Sequence, residues 1–278
     1  PLNDLNNISW QESLLRKHTH KEKLNRQDFE DLRSADWQYY LPINNCGSAL
    51  IFGSGLGVIP IALSKQYSNI LVLDNNQKKI ELLKKRIKSS SLTNVHTSLI
   101  SSIKNLSLKD KSFDMVFWNA NNTFDKSLNA KSIVSFVSQY VKDNGILCIS
   151  LRNHYSLIDR IFSDSDLLDN NSIKLKQCKS ILNNLSYHLI CILCPLPHIK
   201  GIPLFYIPTD NNDCLNYFLR VLSVRFLGIS PELKRFYKIE YALTKIVIMI
   251  CNFFSLGSII KYFLPGYMII AEKTSSDS

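Results

Sequence analysis

Four short stretches of the 278-residue chain carry the side chains best suited to binding or catalysis. The first is Leu50-Ile-Phe-Gly-Ser-Gly-Leu-Gly57, where Gly53, Gly55 and Gly57 alternate directly after an apolar run. Such glycines let backbone approach a ligand closely, because no Cβ intervenes and positive φ costs little. The second is Asp74, which ends the apolar run Asn69-Ile-Leu-Val-Leu73. An acid at the end of a second strand is placed to accept hydrogen bonds from ribose hydroxyls; it would also suit a helix N-cap, since Asn75-Asn-Gln-Lys follows. The third is Leu151-Arg-Asn-His-Tyr155. There His154 is a candidate general base, because imidazole exchanges protons near neutral pH, and Asn153 is a candidate partner in catalysis. A polar loop with a surface histidine would have the same composition. His198, in Pro195-Leu-Pro-His-Ile-Lys200, is a second candidate base, while His188 lies in an apolar run that suits a core residue. The fourth is Cys191-Ile-Leu-Cys194. It reads as strand, where residues three apart point to opposite faces, which is poor geometry for one tetrahedral zinc. No second pair follows, and no metal site is expected.

The elements that must position these residues alternate. Strands are expected over residues 49–52, 70–73, 95–99, 113–118 and 146–150, with helices over 58–66, 77–89 and 130–141 between them. Pro60 falls in the first turn of its helix, where a missing N–H leaves no bond unmade. Asp143-Asn-Gly145 reads as a turn before the fifth strand. This alternation implies a parallel sheet with helices on both faces. A further helix over 173–185, a strand over 187–194, a proline-punctuated loop segment, helices over 212–226 and 231–260, and a last strand over 266–271 complete the chain. Residues 1–44 form a helical N-terminal segment in this reading, 45–196 the core, 197–264 a helical and loop insertion, and 265–278 the last strand and tail. The cluster Trp37-Gln-Tyr-Tyr-Leu-Pro42 is expected to pack on the edge of the sheet, with a lid over the ligand as the other reading.

Composition bounds the class. At 45% hydrophobic and 20% charged, the chain buries a proper core. Seven irregularly spaced cysteines suit free thiols in a reducing compartment, and a cytoplasmic protein is expected. The first residues carry no charged n-region or apolar h-region, so no signal peptide is expected. The net charge of +10 permits polyanion contact without dictating it. The densest basic run, Lys78-Lys79 through Lys84-Lys85-Arg86 and Lys88, has helical spacing and reads as a solvated helix face.

The glycine spacing narrows the ligand. Dinucleotide sites use G-x-G-x-x-G, but here the third-glycine position is Val58. No Gly-Lys-Ser/Thr follows, which excludes a P-loop, and no pyrophosphate-type basic residue is expected near the turn. The pattern fits a ligand with a nucleoside and no phosphate.

Leu50-Ile-Phe-Gly-Ser-Gly-Leu-Gly57, Leu73-Asp74, Phe113-Asp-Met-Val116 and Tyr140-Val-Lys-Asp-Asn-Gly-Ile-Leu-Cys-Ile-Ser150 occur in that order. Together they resemble a class I S-adenosylmethionine-dependent methyltransferase over roughly residues 45–151. The resemblance implies a Rossmann-like three-layer sandwich with a seven-stranded, mainly parallel sheet and an antiparallel last strand. It implies S-adenosylmethionine as cofactor. Gly53, Ser54, Gly55 and Gly57 would line its methionine and ribose side, Asp74 would hold the ribose hydroxyls, Asn75 would lie beside the adenine, and Asn119 would face the reacting methyl. Two departures stand out. Ile51 occupies a place where the family often has an acid, and Ser98-Leu-Ile-Ser-Ser102 lacks the acid that often meets the adenine amine. Asp114 reads as a structural hydrogen-bonder.

The acceptor is less constrained. No Asn-Pro-Pro-Tyr signature follows the fourth strand, where the sequence is Trp118-Asn-Ala-Asn121, which argues against base or amide N-methylation. Leu151-Arg-Asn153, Cys194-Pro-Leu-Pro-His-Ile-Lys-Gly-Ile-Pro203 and Pro265-Gly-Tyr-Met-Ile-Ile-Ala-Glu-Lys273 resemble methyltransferases of sugar-polymer synthesis. O-methylation of a small molecule or a glycan is therefore the leading expectation. A catalytically inactive binding protein of the same fold and an RNA methyltransferase are the alternatives; the second would show salt-sensitive RNA binding. Residues 246–260 are uncharged between Lys245 and Lys261, too short to span a bilayer. They suit a buried helix or one lying at a membrane interface.

Overall fold

The computed structural model describes residues 35–42, 47–102, 106, 108–119, 130–153, 174–196, 205–209 and 266–275, with the single positions 246, 249, 250, 253 and 264. The expected helices over 212–226 and 231–260, together with His154 and His198, lie outside the described residues apart from those single positions.

Eight strands form one sheet: β1 (Ser48–Phe52), β2 (Asn69–Asp74), β3 (Val95–Leu99), β4 (Phe113–Asn119), β5 (Val141–Arg152), β6 (Tyr187–Leu196), β7 (Phe205–Pro208) and β8 (Gly266–Lys273). Their order is β3-β2-β1-β4-β5-β8-β6-β7. The first five are mutually parallel, and β8 inserts antiparallel to both β5 and β6. Among the described residues four helices cover the sheet: α1 (Val58–Leu63), α2 (Gln77–Ser89), α3 (Ala130–Ser138) and α4 (Leu175–Asn184).

The strands are apolar on both faces because both faces are covered. Ile51, Val72, Met115, Phe117, Cys148 and Ile270 pack under α1 and α2 with Leu63 and Leu83. Leu50, Phe52, Val116, Trp118, Leu147 and Ile149 pack under α3 and α4 with Val134, Val137, Cys178 and Leu182. The sequence departure at Ile51 is thus a fully buried core residue of the α1–α2 face. Cys191 and Cys194 fall on opposite faces, Cys191 on the α1–α2 side and Cys194 on the α3–α4 side.

Three local expectations need correction. Among the described residues the sheet has eight strands rather than seven. The extra one, β7, falls in the proline-punctuated segment assigned to an insertion, and it pairs antiparallel with β6 from Leu193–Pro208 to Leu196–Phe205. Edge position tolerates Pro208, since an edge strand leaves one side of its backbone unpaired. Second, Asp143-Asn-Gly145 does not separate a helix from a strand. β5 runs through it as a bulge: two steps along β4, Phe113 to Met115, match five along β5, Val141 to Ile146. Asn144 takes the left-handed conformation at φ 61, and a Cβ on Gly145 would meet the Lys142 carbonyl at 2.8 Å. Third, the aromatic cluster reaches the edge as expected, where the Tyr40 hydroxyl donates to the Tyr206 carbonyl of β7 at 3.5 Å, but it also packs on a face of the sheet. Trp37, in the 3-10 turn Asp36–Tyr40, stacks on Phe117 of the central β4, with ring centroids 5.3 Å apart and planes 18° apart.

Asp114 is the hydrogen-bonder expected from sequence. At the start of β4, its Oδ2 accepts from the Ser48 N–H at 2.7 Å and the Ser48 hydroxyl at 3.1 Å, and its Oδ1 accepts from Lys142 Nζ at 2.9 Å. A Cβ at Gly47 would collide with this carboxylate. Burial raises the Asp114 carboxyl, but the bonds from Lys142 and Ser48 outweigh it and hold it below the ordinary range. A folded-state pKa below the unfolded one gives stability that is present above about pH 4 and is lost as pH falls through the lowered value. Asp114→Asn should therefore lower the urea-unfolding free energy at pH 7 by about 1 kcal/mol. The gap to wild type should close below about pH 4; a gap independent of pH would contradict the assignment.

Candidate cofactor site

The site is built where β1 ends and the chain turns into α1. Gly53, Gly55 and Gly57 hold φ of 93°, 53° and 85°, all left-handed values that penalise a side chain. The Gly53 N–H donates to the Leu73 carbonyl at 2.8 Å, which prolongs the β1–β2 pairing by one step. The Gly57 N–H donates to the Ser54 carbonyl at 2.8 Å and closes the turn. A Cβ on Gly57 would meet Leu83 Cδ1 at 2.9 Å, so this glycine allows α2 to pack against the turn. A Cβ on Gly55 would meet nothing within 4 Å, so this glycine faces open space.

Asp74, the last residue of β2, sits at the base of the turn. Its Oδ2 accepts from the Ser54 N–H and the Ser54 hydroxyl, both at 2.7 Å, and its Oδ1 accepts from the Asn76 N–H at 2.9 Å. Asp74 is 1% exposed and Ser54 3%. The N-cap of α2 is Asn76, whose Oδ1 accepts from the Lys79 N–H at 3.3 Å, so Asp74 supports the cap without being it. The end of β3 joins the same corner, since the Ile100 N–H donates to the Asp74 carbonyl at 3.0 Å.

Gly53, Ser54, Gly55 and Gly57 therefore form one turn, with Asp74 bonded beneath it. Asn75 adjoins it, exposed at the carboxyl end of β2. Asn119 ends β4 at the same edge and pairs in register with Ser150 of β5. Asn153 belongs to a different neighbourhood. It is 4% exposed, and its Nδ2 donates to the Leu264 carbonyl at 2.6 Å and to the Tyr267 hydroxyl at 3.1 Å. It ties the end of β5 to the approach of β8. The buried Cys178 and the half-buried Cys191 are poor nucleophiles: desolvation pushes Cys178 up to about 12 and Cys191 up to about 11, so both are protonated at neutral pH.

One residue of the site escapes the sequence reading. Arg86 belongs to the basic run read as a solvated face, yet it is 6% exposed and its Nη1 donates to the Leu56 carbonyl inside the turn. The turn thus has a basic neighbour in space, although none in sequence. Its signal was helical spacing: position 86 lies four residues after Leu82 and three after Leu83, both buried. Among the described residues no cluster of His, Cys, Asp and Glu could hold a metal ion.

A glycine turn closing on a carboxylate at the carboxyl edge of a parallel sheet defines a nucleoside-binding Rossmann-like protein. Residues 48–198 match the methyltransferase-domain family, and the chain belongs to it. S-adenosylmethionine is its cofactor, and the turn has room for a ligand at Gly55, where an added Cβ would meet nothing within 4 Å. No curated protein matches the chain in sequence. An S-adenosylmethionine-dependent methyltransferase from Clostridium acetobutylicum superposes with a TM-score of 0.53 at 11% identity, covering 94% of this chain and 100% of that one. The cyclase SpnF superposes with a TM-score of 0.52 at 11% identity, covering 88% of this chain and 81% of SpnF. Such likeness describes the fold alone, and the cyclase shows that the fold hosts other chemistry.

The two glycines should separate stability from binding. Gly57→Ala adds a clash to the φ penalty and should cost about 2 kcal/mol or more in urea unfolding. Gly55→Ala bears only the φ penalty, about 1 kcal/mol, and should weaken S-adenosylhomocysteine binding in calorimetry instead. Equal behaviour of the two variants in both measurements would contradict the geometry.

Proposed function

We propose that the protein moves a methyl group from S-adenosylmethionine to a hydroxyl oxygen of a small-molecule or glycan acceptor. The observation that carries this reading is a shared edge. β5 runs past the end of β4, where Asn119 pairs with Ser150, and continues to Arg152 on the same carboxyl side as the glycine turn. Ligands of open α/β sheets lie beyond that side. The resemblance of Leu151-Arg-Asn153, of 194–203 and of 265–273 to methyltransferases of sugar-polymer synthesis supports a glycan or its lipid-linked precursor.

When bound, the cofactor supplies a methyl on a positively charged sulfur, open to in-line attack. The chain has to align the acceptor oxygen, exclude water and accept the hydroxyl proton. Gly53, Ser54, Gly55 and Gly57 line the methionine and ribose side in this reading. Asp74 holds the ribose, Asn75 lies beside the adenine, and Asn119 faces the methyl. His154 takes the proton of the acceptor hydroxyl on its imidazole. Asn153 is a positioning residue: its bonds to Leu264 and Tyr267 fix the backbone one residue before the base. His154→Ala should leave S-adenosylhomocysteine binding unchanged, lower kcat by about 100-fold, and abolish the rise of rate with pH through the neutral range. Normal turnover in that variant would remove the base assignment.

The reading includes peripheral contact with an anionic membrane face. Ile246, Met249, Ile250 and Phe253 are helical and 48%, 66%, 44% and 82% exposed. Their spacing puts them on one helix face. Residues 216–262 carry seven Lys or Arg against two Glu, which suits anionic headgroups beside an inserted apolar stripe. No helix among the described residues is long and apolar enough to cross a membrane. The wild-type protein should sediment with phosphatidylglycerol vesicles and not with phosphatidylcholine vesicles. Met249→Glu with Phe253→Glu should leave it in the supernatant with its melting temperature unchanged. Equal sedimentation of variant and wild type would refute the contact.

A further inference from the structure

The Asp74 carboxylate is already engaged by its own turn. A carboxylate offers about four lone-pair sites, and three donors occupy Asp74: the Ser54 N–H, the Ser54 hydroxyl and the Asn76 N–H. Both donors on Oδ2 come from Ser54, each at 2.7 Å. A ribose diol that donates both hydroxyls needs two acceptor sites. The two N–H donors cannot leave without breaking the fold, since the turn is held by Gly53–Leu73 and Gly57–Ser54 bonds and Asn76 starts α2. The Ser54 hydroxyl can leave by rotation about a single χ1 bond. The carboxylate it bonds is 1% exposed.

We propose that Ser54 is an affinity-setting positioning residue, whose hydroxyl occupies on Asp74 the acceptor site that one ribose hydroxyl of the cofactor takes. Binding is then an exchange of one O–H donor for another on Oδ2. In the free protein the serine keeps a buried carboxylate satisfied, which an unpaired acceptor would penalise. In the complex that bond is lost, which lowers affinity for any ligand that brings its own hydroxyls. A ligand without them has nothing to exchange, so the serine weighs on ribose-bearing ligands alone. The proposal rests on the reading of Asp74 as the ribose acceptor.

Calorimetry of the full chain with S-adenosylhomocysteine and with its 2′,3′-dideoxy analogue tests it. Ser54→Ala should bind S-adenosylhomocysteine roughly three- to ten-fold tighter, with affinity for the dideoxy analogue unchanged. A shift of both ligands by the same factor, or a loss of both, would overturn the proposal, because a serine that merely supports the turn treats the two alike. Asp74→Asn separates the underlying reading: it should erase the preference for the diol, and a preference that survives in this variant removes Asp74 as the ribose acceptor. Should Ser54→Ala fail to fold by circular dichroism, Ser54→Cys carries the same comparison. Its S–H is a weak donor of similar shape, so the tightening should be smaller and again confined to the diol ligand.

Discussion

The structure of the site depends on one carboxylate. Asp74 accepts three hydrogen bonds, two from the glycine turn after β1 and one from the start of α2. Remove it, and the turn, the second strand and the second helix lose their common anchor. The neighbouring bonds are local: Gly53 to Leu73 extends the strand pair, and Gly57 to Ser54 closes the turn. Arg86 completes the arrangement from the other side by holding the Leu56 carbonyl. An acid and a base thus fix the same eight-residue stretch from its two flanks, and both are buried. Charge-assisted bonds in a buried setting are worth more than neutral ones, and leaving either group unpaired would be costly.

The sheet around this corner answers a different constraint. With helices on both faces, alternate residues of each strand feed two separate cores. Ile51 shows the consequence. Where related methyltransferases often have an acid, this chain has a side chain wholly committed to the α1–α2 core, at 0% exposed. What the turn presents is its backbone and the Asp74 carboxylate beneath it, with no acid at position 51.

Much of this was legible because the informative residues are local. The bounds of α2 and β3 follow from apolar spacing, and the glycines and Asp74 announce a tight turn against a strand end. The misses share a cause: each was decided by partners distant in sequence. Asp143-Asn-Gly145 carries the composition of a turn, yet β4 stays paired across it and converts it into a bulge. Phe205–Pro208 is proline-flanked, yet β6 presents an edge that it can join. Arg86 looks like its lysine neighbours until the turn is brought over its helix face. Trp37 gives no sign in sequence that Phe117 will be its partner. The partners of Asn153, the Leu264 carbonyl and the Tyr267 hydroxyl, lie more than a hundred residues away and were not legible either.

Family membership and fold establish a methyltransferase, while the acceptor rests on residues beyond β5. The claim on which everything else stands is that the glycine turn and Asp74 hold S-adenosylmethionine without the acid that Ile51 replaces. Isothermal titration of the unmodified full chain with S-adenosylmethionine tests it most directly. The account predicts saturable one-to-one binding with a dissociation constant in the micromolar range; no binding heat at a ligand concentration of about 1 mM, equivalent to less than roughly 4 kcal/mol, would contradict it.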